Sequence, residues 1–399
     1  MLKTDLNDFA VGYFTLGLRI NKHINGYVEH YYGPPEIKRK IDLEEKLSPK
    51  VLLDNFNNLK RKLDKQNFES NRLNFFNKTF TAIETILKKL SGEKIPYLEQ
   101  VEKLFDFTPK LYDEDVFHYL SSKAEKAYKG EGSLPQRMKN YIKKRKIPVE
   151  LLKTLYIKSL NIAREKTKVK FPNLLPKEEF VDVKLVKDVH WSMYNWYLGE
   201  FKSRIDINID INQYWTNLLF FACHEGYPGH HTDRCAKNVL LYHNKGYFEN
   251  CISLIYTPEF VIYEGMGELA QDVIFNIEEI AEISLRNLSF QTYEYDTLDS
   301  LIQQYEIKKG FRGFNQNLAY FKHIKGWKDE KLIKYSEQFK YLSKQNIIVT
   351  LNFISDDVWA PYVLAYQGER IIREKFGDPP NLKFFRKLIS EKVLPSDLV

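Results

Sequence analysis

Three histidines and a glutamate fall within eight residues in the stretch Cys223-His224-Glu225-Gly226-Tyr227-Pro228-Gly229-His230-His231. The whole chain has only nine histidines in 399 residues, so the cluster calls for a chemical reason. Imidazoles bind metal ions, and a carboxylate beside them moves protons. His-Glu is the first half of the zinc-hydrolase pattern H-E-x-x-H. There the two histidines share one helical face and the glutamate acts as general base on a zinc-activated water. Here the fourth position after His224 is Pro228. On an unbroken helix His230 would point about 120° away from His224, and His231 would lie roughly 10 Å along the axis. Neither geometry chelates one ion. Pro228 removes an N–H and clashes with the His224 carbonyl, and Gly229 tolerates unusual dihedrals. The pair predicts a broken helix just past Glu225, with His230 returned to the place of a second ligand. The expected ligands are His224 and His230, with His231 as the alternative. The histidine left over would support a ligand or touch substrate.

A catalytic zinc site takes three protein ligands and keeps a fourth position open. Downstream, Glu264 and Glu268 are four residues apart on one helical face, preceded by the apolar run Val261-Ile262. Glu264 is the expected third ligand. Glu268 is expected to orient a ligating imidazole. Near the other end lies Tyr362-Val363-Leu364-Ala365-Tyr366-Gln367-Gly368-Glu369-Arg370. A tyrosine near a catalytic metal donates its O–H to a developing oxyanion, and Tyr366 is the candidate. Arg204, Arg370 and Arg373 are candidates for holding a substrate carboxylate. For Arg370 and Arg373 pairing with Glu369 or Glu374 is the favoured reading.

The pattern His-Glu-x-x-Pro-Gly-His-His, followed by Glu-Gly and an aromatic or Met, resembles the domain-of-unknown-function 885 family. Its members are large helical proteins related in pattern to the gluzincin metallopeptidases. Tyr27-Val28-Glu29-His30-Tyr31-Tyr32-Gly33-Pro34-Pro35-Glu36 is similar to that family's Val-Asp-x-Tyr-Tyr-Gly-Pro-Pro-Glu. Ala365-Tyr366-Gln367-Gly368 is similar to its Tyr-x-x-Gly segment. The resemblance therefore spans most of the chain and implies a zinc-dependent peptidase. Two departures stand out. The family's Glu-Gly-Trp-Ala-x-Tyr-x-Glu reads here Glu264-Gly265-Met266-Gly267-Glu268-Leu269-Ala270-Gln271, with the last carboxylate replaced by Gln271. The Glu264/Glu268 spacing then resembles the Glu-x-x-x-Glu segment of dipeptidyl peptidase III. The family's Asp after Val is Glu29.

Positioning these groups is work for helices. Residues 4–25 read as a helix, Gly33-Pro34-Pro35 as a turn opening another, and residues 50–170 show helical apolar spacing such as Leu52, Phe56, Leu59 and Leu63. Residues 171–190 read as a loop followed by a strand. Arg204–Ile211 alternates apolar and polar, which predicts a half-buried strand before the motif helix. As an edge strand it could hold an extended substrate by main-chain hydrogen bonds. Asp210 or Asn212 is placed to cap the motif helix. Two helices are expected over 236–275, the second opened by Pro258.

Composition sets outer bounds. A chain 43% hydrophobic and 28% charged is an ordinary globular composition with a sizeable core. Three cysteines with no Cys-x-x-Cys argue for reduced thiols and a cytoplasmic setting. The first residues lack the features of a secretory leader, and no run reaches the ~18 apolar residues of a membrane span. The net charge is +7, and residues 123–170 hold 15 Lys and Arg against 4 acids. With no nucleic-acid fold signature, that excess reads as a solvated helical surface, the other readings being a nucleic-acid or acidic-substrate face.

The expected protein is mainly α, a multi-helix gluzincin-like architecture with a small strand element beside the site helix. Residues 1–180 would be a helical region and 181–399 the metal-site region, packed together. One zinc ion would serve a peptidase acting on peptides or other small amides, with Glu225 as general base and neither nucleic acid nor membrane as partner. The alternatives are a closed structural zinc site and, behind it, a basic nucleic-acid-binding protein.

Overall fold

Asn7 caps the first helix, Asp8–Asn21, by accepting the Ala10 N–H at 2.9 Å. That helix buries Phe9, Tyr13 and Phe14. Helix Pro49–Leu63 starts on a Ser48 cap and buries Leu52, Phe56, Leu59 and Leu63 along one stripe. Helix Ser70–Leu90 adds Phe76 and Phe80, and the Phe9 ring meets Phe76 edge-on at 5.2 Å. The computed structural model describes residues 6–189, 191–356 and 360–399. Residues 4 and 5 of the predicted first helix lie outside them. The described chain is mainly helical with two small sheets. Among the described residues, no helix is long and apolar enough to cross a membrane.

Two apolar clusters make the interior. The first draws on residues 9–141, 248–263 and 307–365 with Leu394, the second on residues 147–301 and the rest of 372–398. Position 180 falls inside the second cluster, between Leu174 and Val183. Helix Pro258–Ile274 lies where the clusters meet: Phe260, Val261 and Tyr263 belong to the first, Ile262, Met266 and Leu269 to the second. An α-helix apolar on all sides belongs in an interior, and this one carries Glu264 and Glu268. Helix Gln367–Phe376 crosses it at two glycines. A Cβ on Gly265 would come within 2.4 Å of the Gly368 backbone, and one on Gly368 within 1.9 Å of the Val261 carbonyl. Only glycine permits backbones this close.

The larger sheet has the order β2 (Phe180–Val186), β4 (Lys202–Asn208), β3 (Met193–Gly199), with β2–β4 parallel and β3–β4 antiparallel. The predicted strand is thus central, not an edge. Both its main-chain sides are engaged, so it cannot receive an extended substrate; β2 and β3 are the edges that remain. Alternation marks a half-buried strand but carries no information on order in the sheet. In the smaller sheet β1 (Val28–Tyr31) pairs antiparallel with β5 (Ile252–Leu254), and the register shifts between Val28 and His30. Glu29 lies in that bulge, a device that re-aims one side chain. The motif helix, Trp215–Phe221, is capped by neither Asp210 nor Asn212. Asp210 instead accepts the Asp188 N–H, and the Trp215 N–H goes to the Arg145 carbonyl.

Glu259, in the first turn of Pro258–Ile274, accepts Lys392 Nζ at 2.7 Å with Lys237 4.0 Å away. Burial alone would raise its pKa, but Lys392, Lys237 and Arg234 outweigh it and hold the carboxyl down at about 2. A depressed folded pKa contributes stability above the unfolded value, lost as pH falls through the folded one. The contribution is on the order of 3 kcal/mol. Urea melts between pH 5 and pH 2 should show this loss, and Glu259→Gln should remove that part of the slope.

Candidate metal centre

The motif helix widens after Phe221. Ala222–Gly226 forms a π-helical turn in which the Tyr227 N–H reaches the Ala222 carbonyl at 3.0 Å, and the Gly229 N–H then bonds the Cys223 carbonyl at 2.9 Å. Pro228 has no N–H to continue the ladder. A Cβ on Gly229 would sit 2.0 Å from the His224 carbonyl oxygen, so the return path belongs to glycine alone. A fresh helix, His230–Lys237, starts directly afterwards. The break brings the His224 and His230 rings to 4.5 Å between centroids.

Glu264 completes the group. Its Oε2 is 3.7 Å from His224 Nε2 and its Oε1 is 4.0 Å from His230 Nε2. One donor atom from each of the three residues lies within 4.8 Å of the others. Donors each about 2.0–2.2 Å from one zinc ion stand roughly 3–4 Å apart, so the set fits zinc after small adjustments. Glu264 Oε2 is buried with no hydrogen-bond partner among the described residues, as suits an atom that completes its bonding with a cation. His224, Glu225, His230 and Glu264 are between 4% and 8% exposed.

The surroundings hold each group in place. The His224 ring lies against Gly267, where a Cβ would come within 2.8 Å. Behind it, Glu268 Oε1 stands 3.7 Å from Nδ1, and Arg312 holds Glu268 through Nε at 3.3 Å. His230 stacks on Tyr263 at 3.8 Å, and that ring also carries the Arg234 guanidinium at 4.0 Å. Arg234 donates to Glu29 and to Ser253, each at 3.0 Å. Tyr362 donates to Glu264 Oε1 at 3.4 Å. Asn195 of β3 donates to the Glu225 carbonyl at 2.5 Å.

Electrostatics explain why such a group would want a cation. Burial, then Arg312, lowers His224 to about 4, and burial with His224 nearby keeps His230 well below its ordinary value. Both imidazoles are therefore neutral at pH 7, the form that ligates. Burial pushes Glu225 up to about 8, with Glu29 and Glu268 adding to it. Glu264 is raised well above the carboxylate range by burial, Glu29, Glu225 and Glu268. Burial lifts Glu268 to about 7 against the pull of Arg312. Burial also acts on Glu29, but Arg234 and His30 outweigh it and hold this carboxyl below its ordinary value. Three buried carboxyl groups and the half-buried Glu268 thus share two guanidiniums, and a divalent cation would supply the missing charge.

Other expected residues lie elsewhere. His231 is turned away: Nδ1 is 2.8 Å from Ser203 Oγ and Nε2 3.0 Å from Glu179 Oε2. With both nitrogens engaged and no exposed surface, it neither ligates nor supports a ligand, but ties its helix to β4 and Glu179. Consecutive residues on a helix point about 100° apart, so only one of the pair could face Glu264. Arg204 is spent on Asp206 at 2.8 Å, Arg370 on Glu374 at 2.7 Å, and Arg373 on Glu369 and Asp272. None of the three is held ready for substrate. Tyr366 is half-buried with its ring 5.7 Å from that of Tyr362, and desolvation with Glu264 and Glu268 nearby raises its pKa well above the ordinary value. Tyr362, Tyr263, Arg234 and Arg312 were not singled out from sequence. Tyr362 had one signal, its place one turn before Tyr366.

No family model matches this chain, and no curated protein matches it. Among solved structures it is similar to a "putative lipoprotein from Colwellia psychrerythraea" with 14% identity and a TM-score of 0.47, over 89% of this chain and 66% of that one. It is also similar to "a putative lipoprotein of unknown function from Shewanella oneidensis" with 10% identity and a TM-score of 0.45, over 98% of this chain and 89% of that one. The chain spans just under two thirds of the first protein's length.

Proposed function

We propose that this chain is a zinc-dependent hydrolase of gluzincin-like architecture, a peptidase whose single zinc ion is held by His224, His230 and Glu264. The observation that carries the reading is the convergence of those three donors within 4.8 Å, beside a buried Glu225. When bound, zinc supplies Lewis acidity and a water acidified toward a pKa of about 7. Glu225 takes up a proton at its carboxylate and returns it to the leaving amine. Burial raises its pKa in the metal-free protein, and the charge of a bound zinc would draw it back toward that of a base working near neutral pH. The Tyr366 hydroxyl donates to the oxygen that gains charge, while Tyr362, bonded to Glu264, orients that carboxylate. The edge strand β3 offers main-chain groups to an extended peptide, and a small amide could occupy the same place. His231 is engaged by Ser203 and Glu179, so the protein provides three donors and not the four of a closed structural site. The three cysteines are buried free thiols, in keeping with the cytoplasmic setting we propose.

Metal analysis tests the ligand set. Wild-type protein should hold about one zinc per chain. His224→Ala, His230→Ala and Glu264→Ala should lose it, and His231→Ala should keep it. A protein that holds no zinc and acquires none on addition overturns the proposal.

A further inference from the structure

The basic excess of residues 123–170 is not spread evenly. Lys139 and Lys143 on helix Leu134–Lys143, and Lys146 just beyond it, face a cleft of about 1020 Å³. Lys308 from helix Leu298–Gly310 and Lys344 from the first turn of Lys344–Ser355 line the same cleft. No Asp or Glu is among the described residues that line it. Lys139, Lys143, Lys146 and Lys344 are exposed, and none is within ion-pair distance of a carboxylate among the described residues. Elsewhere lysines pair readily, as Lys38 does with Asp42 and Lys166 with Glu279. Arg145, also in the lining, is neutralised by Asp296 at 2.9 Å. Like charges gathered around a concave, low-dielectric wall focus a positive potential that an anion would relieve.

The lining chooses between anions. Between the lysines stand the amides of Gln136, Asn212, Gln345 and Asn346, groups that bond peptide backbone. Three of the four lining tyrosines are committed to packing or bonding, which leaves Tyr214 as a single ring and no run of free platforms. Tyr341 stacks on Phe311 at 3.7 Å, Tyr128 meets Tyr141 at 5.3 Å, and the Tyr305 hydroxyl donates to the Thr216 carbonyl. Single-stranded nucleic acid binds on free aromatic platforms, whereas carboxylates on an extended chain need only ammonium groups and amides. The cleft also adjoins a second cavity whose lining includes residues packed around the metal centre. It shares Thr216, Tyr305 and Lys308 with an adjoining cavity of about 410 Å³ that reaches Phe220 and Arg312. The Phe220 ring is 5.7 Å from that of His224, and Arg312 holds Glu268.

We propose that this cleft binds acidic peptide segments and so sets the substrate class of the His224–His230–Glu264 centre: peptides rich in Asp and Glu away from the bond cleaved. The second part rests on the peptidase reading; the binding does not. The test is fluorescence anisotropy on the full chain with three labelled probes: an Asp/Glu-rich decapeptide, a Ser/Gly decapeptide and a ten-nucleotide oligothymidine. The acidic peptide should bind about tenfold or more tighter than the other two, less so as salt rises. The triple variant Lys139→Gln, Lys143→Gln, Lys146→Gln changes exposed side chains alone and should lose about tenfold with an unchanged melting temperature. Equal binding of acidic and neutral peptides, or an unaffected triple variant, overturns the proposal. Oligothymidine binding as tightly as the acidic peptide, and lost in the triple variant, overturns it in favour of nucleic acid. Hydrolysis of a peptide library separates the two readings. Cleavage with no acidic preference sinks the substrate role of the cleft and leaves the peptidase standing. Binding with no cleavage of any peptide sinks the peptidase and leaves the binding site standing.

Discussion

Glu225→Gln should abolish peptide hydrolysis while leaving zinc in place. The substitution keeps the shape and removes a carboxylate beside the ligands that has no ion-pair partner among the described residues. Loss of a general base costs 10²–10⁴-fold, and a fall of about 10³-fold or more in kcat is expected here, with zinc content unchanged. A second readout distinguishes this role from a structural one. Glu225 is held up at about 8 by burial and by Glu29 and Glu268. A raised carboxyl pKa means that the unfolded chain gives up its proton near pH 4.5 while the folded one retains it, so stability falls as pH rises between those values. Chelator-stripped Glu225→Gln should therefore melt higher than stripped wild type at pH 8 and alike at pH 4. A variant that hydrolyses peptides at the wild-type rate removes Glu225 from the mechanism.

The second large effect is expected at Gly229, where no charge changes. A methyl group there would lie 2.0 Å from the His224 carbonyl oxygen and 2.3 Å from that of Cys223. Both are backbone atoms of the turn that aims the ligands, so neither can move without moving His224. Gly229→Ala should destabilise the fold by more than about 4 kcal/mol, among the larger effects of single substitutions. Zinc affinity should fall in any folded fraction, because the two imidazoles would no longer converge. Urea melts and metal content on the same preparation check both. A Gly229→Ala protein with wild-type stability and zinc content would mean that the turn is looser than its geometry.

What could be read from residue order was local chemistry. The break at Pro228-Gly229 follows from one missing N–H and one absent Cβ, and the helical apolar stripes follow from spacing, as Leu52 to Leu63 shows. The shared face of Glu264 and Glu268 is a matter of helical pitch. What stayed hidden depends on partners far away in sequence. Choosing between His230 and His231 needs Glu179 and Ser203, residues 52 and 28 positions from His231. The part played by Glu29 needs a bulge opposite β5, more than two hundred residues on. That β4 is central follows from its two neighbours and not from its own alternation. For Arg370 and Arg373 the neighbouring Glu369 and Glu374 already pointed to pairing, which is what they do, whereas Arg204 reads as a binding group until Asp206 is seen beside it.

The crossing of Gly265 on Gly368, together with the pairing of β1 on β5, also bears on how the chain comes to be made. The centre is clamped by contacts that join residue 28 to residue 254 and residue 265 to residue 368. Contacts of such long sequence separation form late, because their loops must close first. During synthesis His224, His230 and Glu264 leave the ribosome well before the segment that seats them. A nascent chain therefore carries these three side chains without the assembled cage, and on the proposed reading tight metal capture would wait until residue 368 has emerged.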